Sequence, residues 1–252
     1  MRGRGWEVAA TARKPADLDR LRKEGFAAYY LDYSEPDSIA RCANQVLDET
    51  DGRLDALFNN GAYAQPGAVE DLTPDVLRAQ FEANFFGWHD LTRRVIPTMR
   101  ANGSGRIVQC SSVLGLVGLP FRGAYVATKF AVEGLSEVLR RELAGSGIFV
   151  SLIEPGPIRS RLVEHAMEAF QRNIDIENSY HREDYKRRIK FFAEGGAHRF
   201  KLGPEAVLKK LIHAVESGRP KPHYYVTVPT YFAVFCRRAL PNRVVDLLMK
   251  RQ

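Results

Sequence analysis

With 252 residues, 45% of them hydrophobic, the chain can bury one sizeable core and is too short for two full domains. Its three cysteines, Cys42, Cys110 and Cys236, stand far apart with no CxxC pair, which excludes a disulfide framework and a cysteine zinc site and makes a reducing cytoplasm the default location. The formal charge is +7, but the basic residues are spread over several predicted helices and loops without interleaved aromatics, so nucleic acid is not an expected partner.

In chain order, Glu7 to Ala12 reads as a short strand, Pro15 to Glu24 as a helix, and Ala27 to Leu31 as a second strand closed by Asp32. The rhythm continues with a helix over Ser38 to Glu49, a strand over Leu54 to Phe58, a helix from Pro74 to Met99 and a strand over Gly105 to Cys110. A helix from Ala124 to Ala144 and a strand from Ile148 to Ile153 follow, ending at Glu154-Pro-Gly-Pro157, where the prolines stop regular pairing. Strands alternating with helices imply a parallel sheet and an α/β fold. From Arg161 to Gly196 the pattern is helical but rich in charge and aromatics, including Phe170, Tyr180, Tyr185, Phe191 and Phe192, and this segment, roughly 160–200, is expected to cover a substrate. Pro204 to Gly218 reads as a helix, Tyr224 to Val228 as a last strand, and Phe232 to Met249 as basic amphipathic helix broken at Pro241. No run of about 20 apolar residues could span a membrane, and the first six residues lack the apolar stretch of a signal peptide.

The residues that carry chemistry follow the Gly105 strand. Tyr125 and Lys129 are four apart at the head of a predicted helix, so their side chains share a face. A phenol and an ammonium titrate near 10 and 10.4, and a nearby cation favours the phenolate, so the tyrosine can exchange a proton near working pH. Ser112 lies thirteen residues before Tyr125, just past a strand end, where open α/β sheets build their sites. Two common residues at helical spacing are on their own more often an exposed face; here the flanking sequence decides.

Gly105-Arg-Ile-Val-Gln-Cys-Ser-Ser112 followed by Gly123-Ala-Tyr-Val-Ala-Thr-Lys129 resembles the active-site stretch of the short-chain dehydrogenase/reductase family. Asn59-Asn-Gly-Ala62 is similar to that family's Asn-Asn-Ala-Gly turn with the last two residues exchanged, Asn84 matches its helix asparagine, and Pro155-Gly-Pro-Ile158 matches its nicotinamide-side loop. The stretch from Asn84 to Trp88 and the long tail look like the hydroxysteroid and retinol dehydrogenase branch. The resemblance implies a single NAD(P)-binding, Rossmann-like, doubly wound sheet over residues 1–252, and an oxidoreductase that interconverts an alcohol and a carbonyl by hydride transfer.

By the same resemblance, Tyr125 is the acid/base, Ser112 holds the substrate oxygen, Lys129 binds the nicotinamide ribose and lowers the tyrosine pKa, and Asn84 helps hold a proton-relaying water. Ser111 lacks the family spacing to Tyr125 and is read as structural. Arg13, where an NAD enzyme would place an acid, points to the extra phosphate of NADP(H), with Lys14 assisting. Asp32 and Tyr33 match positions near adenine, with a turn cap as the alternative role of Asp32. Asn59, Asn60, Gly61 and Ala62 are expected to line the adenosine side, and Pro155, Gly156, Ile158 and Ser160 the nicotinamide side. None of the six histidines has metal-ligand spacing, so no metal is expected, and His165 and His181 are assigned to the substrate cover or the surface.

The chain departs from the family where the pyrophosphate should sit. No strand followed by a glycine-rich turn precedes Trp6; Gly3 and Gly5 form a GxG that comes before a strand, not after one. The missing unit would amount to roughly 25 residues, and its absence is expected to leave two half-sheets, with a translation start placed too far downstream as the explanation. Two other functions compete: a non-catalytic relic that serves as a binding module, and a sugar-nucleotide epimerase or dehydratase, whose relatives are usually longer. Expected partners are a small carbonyl or alcohol, apolar in view of the aromatic segment, a second copy of the chain, and, through the basic tail, either the core or an anionic membrane surface.

Overall fold

The computed structural model describes residues 1–193 and 201–249. β1 (Ala9–Ala12), α1 (Pro15–Lys23) and β2 (Ala27–Tyr30) open the alternation: the strands pair in parallel, Ala9 opposite Ala27 through Ala12 opposite Tyr30, with the helix as crossover. Before them lies one 3-10 turn, Arg2–Arg4, closed by Gly5 at φ 86°, so the GxG belongs to a turn that precedes a strand, as its order in the chain indicates.

The second sheet has four parallel strands in the order β3 (Ala56–Asn59), β4 (Gly105–Cys110), β5 (Ile148–Glu154) and β6 (His223–Tyr225). The two sheets share no ladder, so the expected division into half-sheets is observed. β4 and β5 are apolar on both faces. Ile107 and Val150 pack with Val95, Met99, Leu143 and Ile148 on one side, while Val108 and Ile153 pack with Leu211, Ala214, Val215 and Tyr224 on the other. That two-sided burial is why these strands read as continuous hydrophobic runs.

α2 (Pro36–Glu49) opens on a proline that needs no hydrogen-bond partner there, and buries Ile39, Cys42 and Ala43 against Leu31 and Leu91. The single helix expected from Pro74 to Met99 is in fact α3 (Pro74–Phe81), one π-helical turn (Glu82–Phe86) and α4 (Gly87–Ala101). Residue 87 has to be glycine: a Cβ there would stand 2.2 Å from the Tyr33 carbonyl oxygen, where the helix crosses the loop after β2. α5 (Gly123–Glu142) buries Ala124, Tyr125, Thr128, Lys129, Val132 and Ser136, a helical stripe that includes two of the residues singled out for chemistry.

Beyond β5 come α6 (Leu162–Asn173), α7 (Arg182–Ala193), α8 (Glu205–Glu216), α9 (Val228–Ala239) and α10 (Asn242–Met249). The expected last strand is displaced: it ends at Tyr225, and the chain is already helical at Val228, because Pro229 lacks an N–H to give a ladder but suits the first turn of a helix. The break at Pro241 falls where proposed. The segment expected to cover a substrate forms α6 and α7, with Phe170 and Tyr185 buried and Tyr180 exposed. The side chain of Phe192 and residues 194–200, also assigned to that segment, lie outside the described residues. Among the described residues no helix is long and apolar enough to cross a membrane.

Candidate active site

The loop leaving β4 and the first turns of α5 bring Ser112, Tyr125 and Lys129 together below the solvent surface. Ser112 accepts from the Leu114 amide at 3.1 Å, capping a short 3-10 turn, and its hydroxyl also bears on the Tyr125 phenol. Burial raises the Tyr125 pKa above its ordinary value; Ser112 and the Arg122 charge oppose the rise. The Lys129 ammonium sits 5.5 Å from the centre of the Tyr125 ring and 4.1 Å from that of Trp88, and donates to the Cys110 carbonyl at 2.7 Å. Burial brings Lys129 down to about 8.

Asn84 is wholly buried in the π-helical turn, and its amide clasps the backbone of Tyr63: Nδ2 donates to the carbonyl at 2.8 Å and Oδ1 accepts from the amide at 3.2 Å. It therefore fixes the loop after β3. Asn59, expected to line a cofactor, points inward instead. Its Oδ1 accepts from the Tyr33 hydroxyl at 3.1 Å, and its Nδ2 donates to Thr92 and Gln109 at 3.0 and 2.9 Å, so its polar atoms are spent inside the core. Asn60 and Gly61 are exposed and Ala62 is half-buried. Gly61 still serves the architecture: its carbonyl accepts from Trp88 Nε1 at 2.8 Å, and a Cβ would press on the Tyr33 ring at 2.9 Å.

Arg13, largely exposed after β1, reaches Asp32 at 3.5 Å. Asp32 is also the turn cap foreseen as its alternative role, its Oδ1 accepting from the amide and hydroxyl of Ser34 at 2.9 and 2.6 Å. On the other flank the Pro155 carbonyl accepts from the Val113 amide at 2.8 Å, tying the loop after β5 to the Ser112 turn. A Cβ on Gly156 would meet Thr227 Oγ1 at 2.1 Å, Ile158 bridges Leu202, and Ser160 Oγ accepts from the Leu162 amide at 3.4 Å at the start of α6.

A small cleft opens beside the head of α5, lined by Pro66, Phe121, Met167, Phe170, Tyr185 and Ile189 together with Arg122 and Arg188. Tyr185 bolts α7 over it, donating to Asp71 at 2.5 Å and accepting from the Ala68 amide at 2.8 Å. Phe121 holds a positive φ of 64° there, with its ring 5.3 Å from His181 and 5.5 Å from Tyr185. A bulky residue in that conformation costs of order 1–3 kcal/mol. His181 packs beside Phe121 and is bonded to Glu70 at 2.6 Å.

Sequence reasoning missed a second polar cluster, behind Lys129. Glu133, one turn further along α5, meets Glu154 at the end of β5 and His223 at the start of β6. Burial, and then the facing Glu154, push the Glu133 carboxyl up to about 7; burial likewise raises Glu154, and the hydrogen bond to Glu154 raises His223. The positions are 21 and 69 residues apart, so no local spacing could reveal them. Three acids and bases on separate elements converge only through the fold.

Comparison with known proteins matches residues 1–170 to the family described as short chain dehydrogenase. The chain is 41% identical over 250 residues to the uncharacterized oxidoreductase YbbO of Escherichia coli, covering 99% of this chain and 87% of that protein. It is 34% identical to bovine retinol dehydrogenase 8, covering 85% of this chain and 70% of that one. A short chain dehydrogenase from Burkholderia cenocepacia, solved in complex with NADP, superposes with a TM-score of 0.72 over 96% of this chain and 86% of its own, at 21% identity.

Proposed function

The chain belongs to the short-chain dehydrogenase/reductase family, an oxidoreductase family acting on CH–OH donors, and from that premise we propose that it interconverts an apolar alcohol and its carbonyl with NADP(H), Tyr125 moving the proton. The observation that carries the reading is the buried trio of Ser112, Tyr125 and Lys129; near it, beside the head of α5, lies a mostly apolar cleft that Arg122 and Arg188 also line. Such a cleft suits a substrate that is mostly hydrocarbon, with one polar end presented to the hydroxyls.

The residues fit a nicotinamide cofactor at two points. Lys129 has three N–H donors, and among the described residues its hydrogen bond goes to Cys110, which leaves donors for ribose hydroxyls. Arg13 presents an exposed guanidinium held by Asp32, suited to a terminal phosphate, so Arg13 supports NADP(H) over NAD(H). When bound, the nicotinamide supplies or accepts the hydride. The chain's own residues do the rest. Ser112 donates to the substrate oxygen and holds it against Tyr125, which gives its phenolic proton to that oxygen in reduction and recovers it in oxidation. The raised tyrosine keeps the proton in the resting site, and the Lys129 charge near it favours its release once a ligand occupies the pocket. Gly156 lets the loop after β5 lie close to Thr227, and Pro155 joins that loop to Ser112, so nicotinamide and substrate sides are set by one piece of backbone. Exposed Tyr231, Phe232 and Phe235 on α9, with Arg238 beside them, support contact of the tail with an anionic surface.

The test is fluorescence titration with NADPH and NADH, followed by turnover of Tyr125→Phe. NADPH is expected to bind more tightly than NADH, with Arg13→Ala erasing about 10- to 100-fold of the difference, the worth of a charge-assisted hydrogen bond. Tyr125→Phe is expected to fold, bind cofactor and lose about 10²- to 10⁴-fold in kcat. A folded chain that binds neither nucleotide would overturn the reading in favour of a non-catalytic binding module.

A further inference from the structure

Glu133, Glu154 and His223 place one ligand atom each within 4.8 Å of one another, on three different elements. His223 Nδ1 is 2.6 Å from Glu154 Oε1 and 3.9 Å from Glu133 Oε2. Glu154 is fully buried and its other oxygen accepts from the Tyr224 amide at 3.0 Å. Glu133 Oε1 and Ser111 Oγ are buried without a hydrogen-bond partner among the described residues. Both atoms crowd the same side of Gly115: an added Cβ there would lie 2.6 Å from the serine oxygen and 3.1 Å from the carboxylate oxygen. Ser111, only 3% exposed, thus turns its hydroxyl toward the Glu133 carboxylate without a full hydrogen bond to it or to any other described residue.

Glu133 and Glu154 are two carboxyls withdrawn from water around one imidazole, and carboxylates so placed are paired or coordinate metals. Ligand bonds of about 2.0–2.2 Å hold neighbouring donors roughly 3 Å apart. The two His223 separations of 2.6 and 3.9 Å bracket that spacing and the three ligand atoms lie within 4.8 Å of one another, so the site closes by drawing the carboxylates inward. One imidazole with two carboxylates suits a borderline cation of the zinc or manganese kind; calcium and magnesium prefer all-oxygen shells. The His223 side chain is 32% exposed, which provides the way in.

We propose that Glu133, Glu154 and His223 bind one divalent transition-metal ion, with Ser111 lining its remaining side. The ion cross-links α5, the end of β5 and the start of β6 behind Lys129, one helical turn from the site described above. It takes no part in the hydride or proton steps. Its work is to hold the helix that carries Tyr125 and Lys129 against the sheet.

The full chain, stripped with chelator and exchanged into buffer, is titrated with Zn²⁺ by calorimetry, and metal retained through gel filtration is counted by atomic absorption. One Zn²⁺ per chain is expected, with Mg²⁺ failing to compete. Glu133→Gln and His223→Ala, each removing a direct ligand, are expected to weaken binding by more than about 100-fold, the upper range for loss of an outer-shell partner, while His165→Ala leaves it unchanged. Co²⁺ in place of Zn²⁺ gives visible d–d bands that the same two variants abolish. Circular dichroism of the metal-free variants checks that they fold. Substoichiometric zinc in the folded parent chain, the result expected if the two carboxyls merely share a proton, overturns the proposal. So does stoichiometric zinc whose affinity neither variant changes, since that ion would sit elsewhere.

Discussion

Lys129 is held at a cost to the fold, and that cost has a definite pH signature. Its ordinary value is 10.5 and burial brings it to about 8, so between those values the unfolded chain carries more protons than the folded one and stability rises with pH. Below about pH 8 the whole penalty is present, about 3 kcal/mol at 1.36 kcal/mol per unit. Lys129→Met keeps the length and removes the charge, and gives up one hydrogen bond to Cys110, about 1 kcal/mol. The variant is therefore expected to be roughly 2 kcal/mol more stable at pH 7 in urea unfolding, an advantage that shrinks as pH passes 8, while turnover is lost. A variant less stable than the parent at pH 7 would show that the ammonium stabilises the fold. The pair Tyr125 and Lys129 was legible because helical spacing is local. The true orientation of Asn59 was not, since Tyr33, Thr92 and Gln109 reach it from three other elements.

At the level of elements, strand and helix identities followed from periodicity, and β4 came out with the same ends in sequence and structure, Gly105–Cys110. What periodicity could not express was the π-helical turn at Glu82–Phe86: one extra residue within a continuous helix leaves the apolar pattern nearly intact but turns Asn84 into the core. The cover over the cleft was similarly visible as an aromatic segment without its fastening. That fastening is Tyr185, whose hydroxyl serves Asp71 and the buried Ala68 amide together. Tyr185→Phe leaves the amide unsatisfied, which costs about 1–3 kcal/mol. Because α7 forms one wall of the cleft, the same variant is expected to raise the KM for an apolar substrate several-fold with little change in kcat. Thermal unfolding and steady-state kinetics on one preparation read both effects. Lost stability with an unchanged KM would separate α7 from substrate binding.

Across the whole molecule, the two sheets differ in how much protects their hydrogen bonds. β4 and β5 are buried along almost their full length and lie inside a four-stranded ladder, with apolar clusters on both faces. β1 and β2 pair only with each other, four residues each, and every residue of both is exposed or half-buried. What joins this pair to the rest is side-chain contact: packing among Leu31, Ile39 and Leu91, the Tyr33 hydroxyl on Asn59, and Arg4 and Trp6 on Glu216. Contacts of that kind can separate without breaking the larger ladder, so the β1–β2 unit is expected to open on its own at a lower free energy. In native-state hydrogen exchange its amides should exchange at least about tenfold faster than those of β4 and β5, a difference of about 1.4 kcal/mol or more. NADPH is expected to narrow that gap, because Arg13, after β1, and Lys129, on α5 against the larger sheet, would grip one ligand, and a ligand that binds only the joined state stabilises it by mass action. Exchange rates that are equal in the two sheets without NADPH would mean that the packing around Leu91 already makes them one cooperative unit. Rates that stay apart at saturating NADPH would mean that the nucleotide does not bridge them, and that Arg13 has no part in holding it.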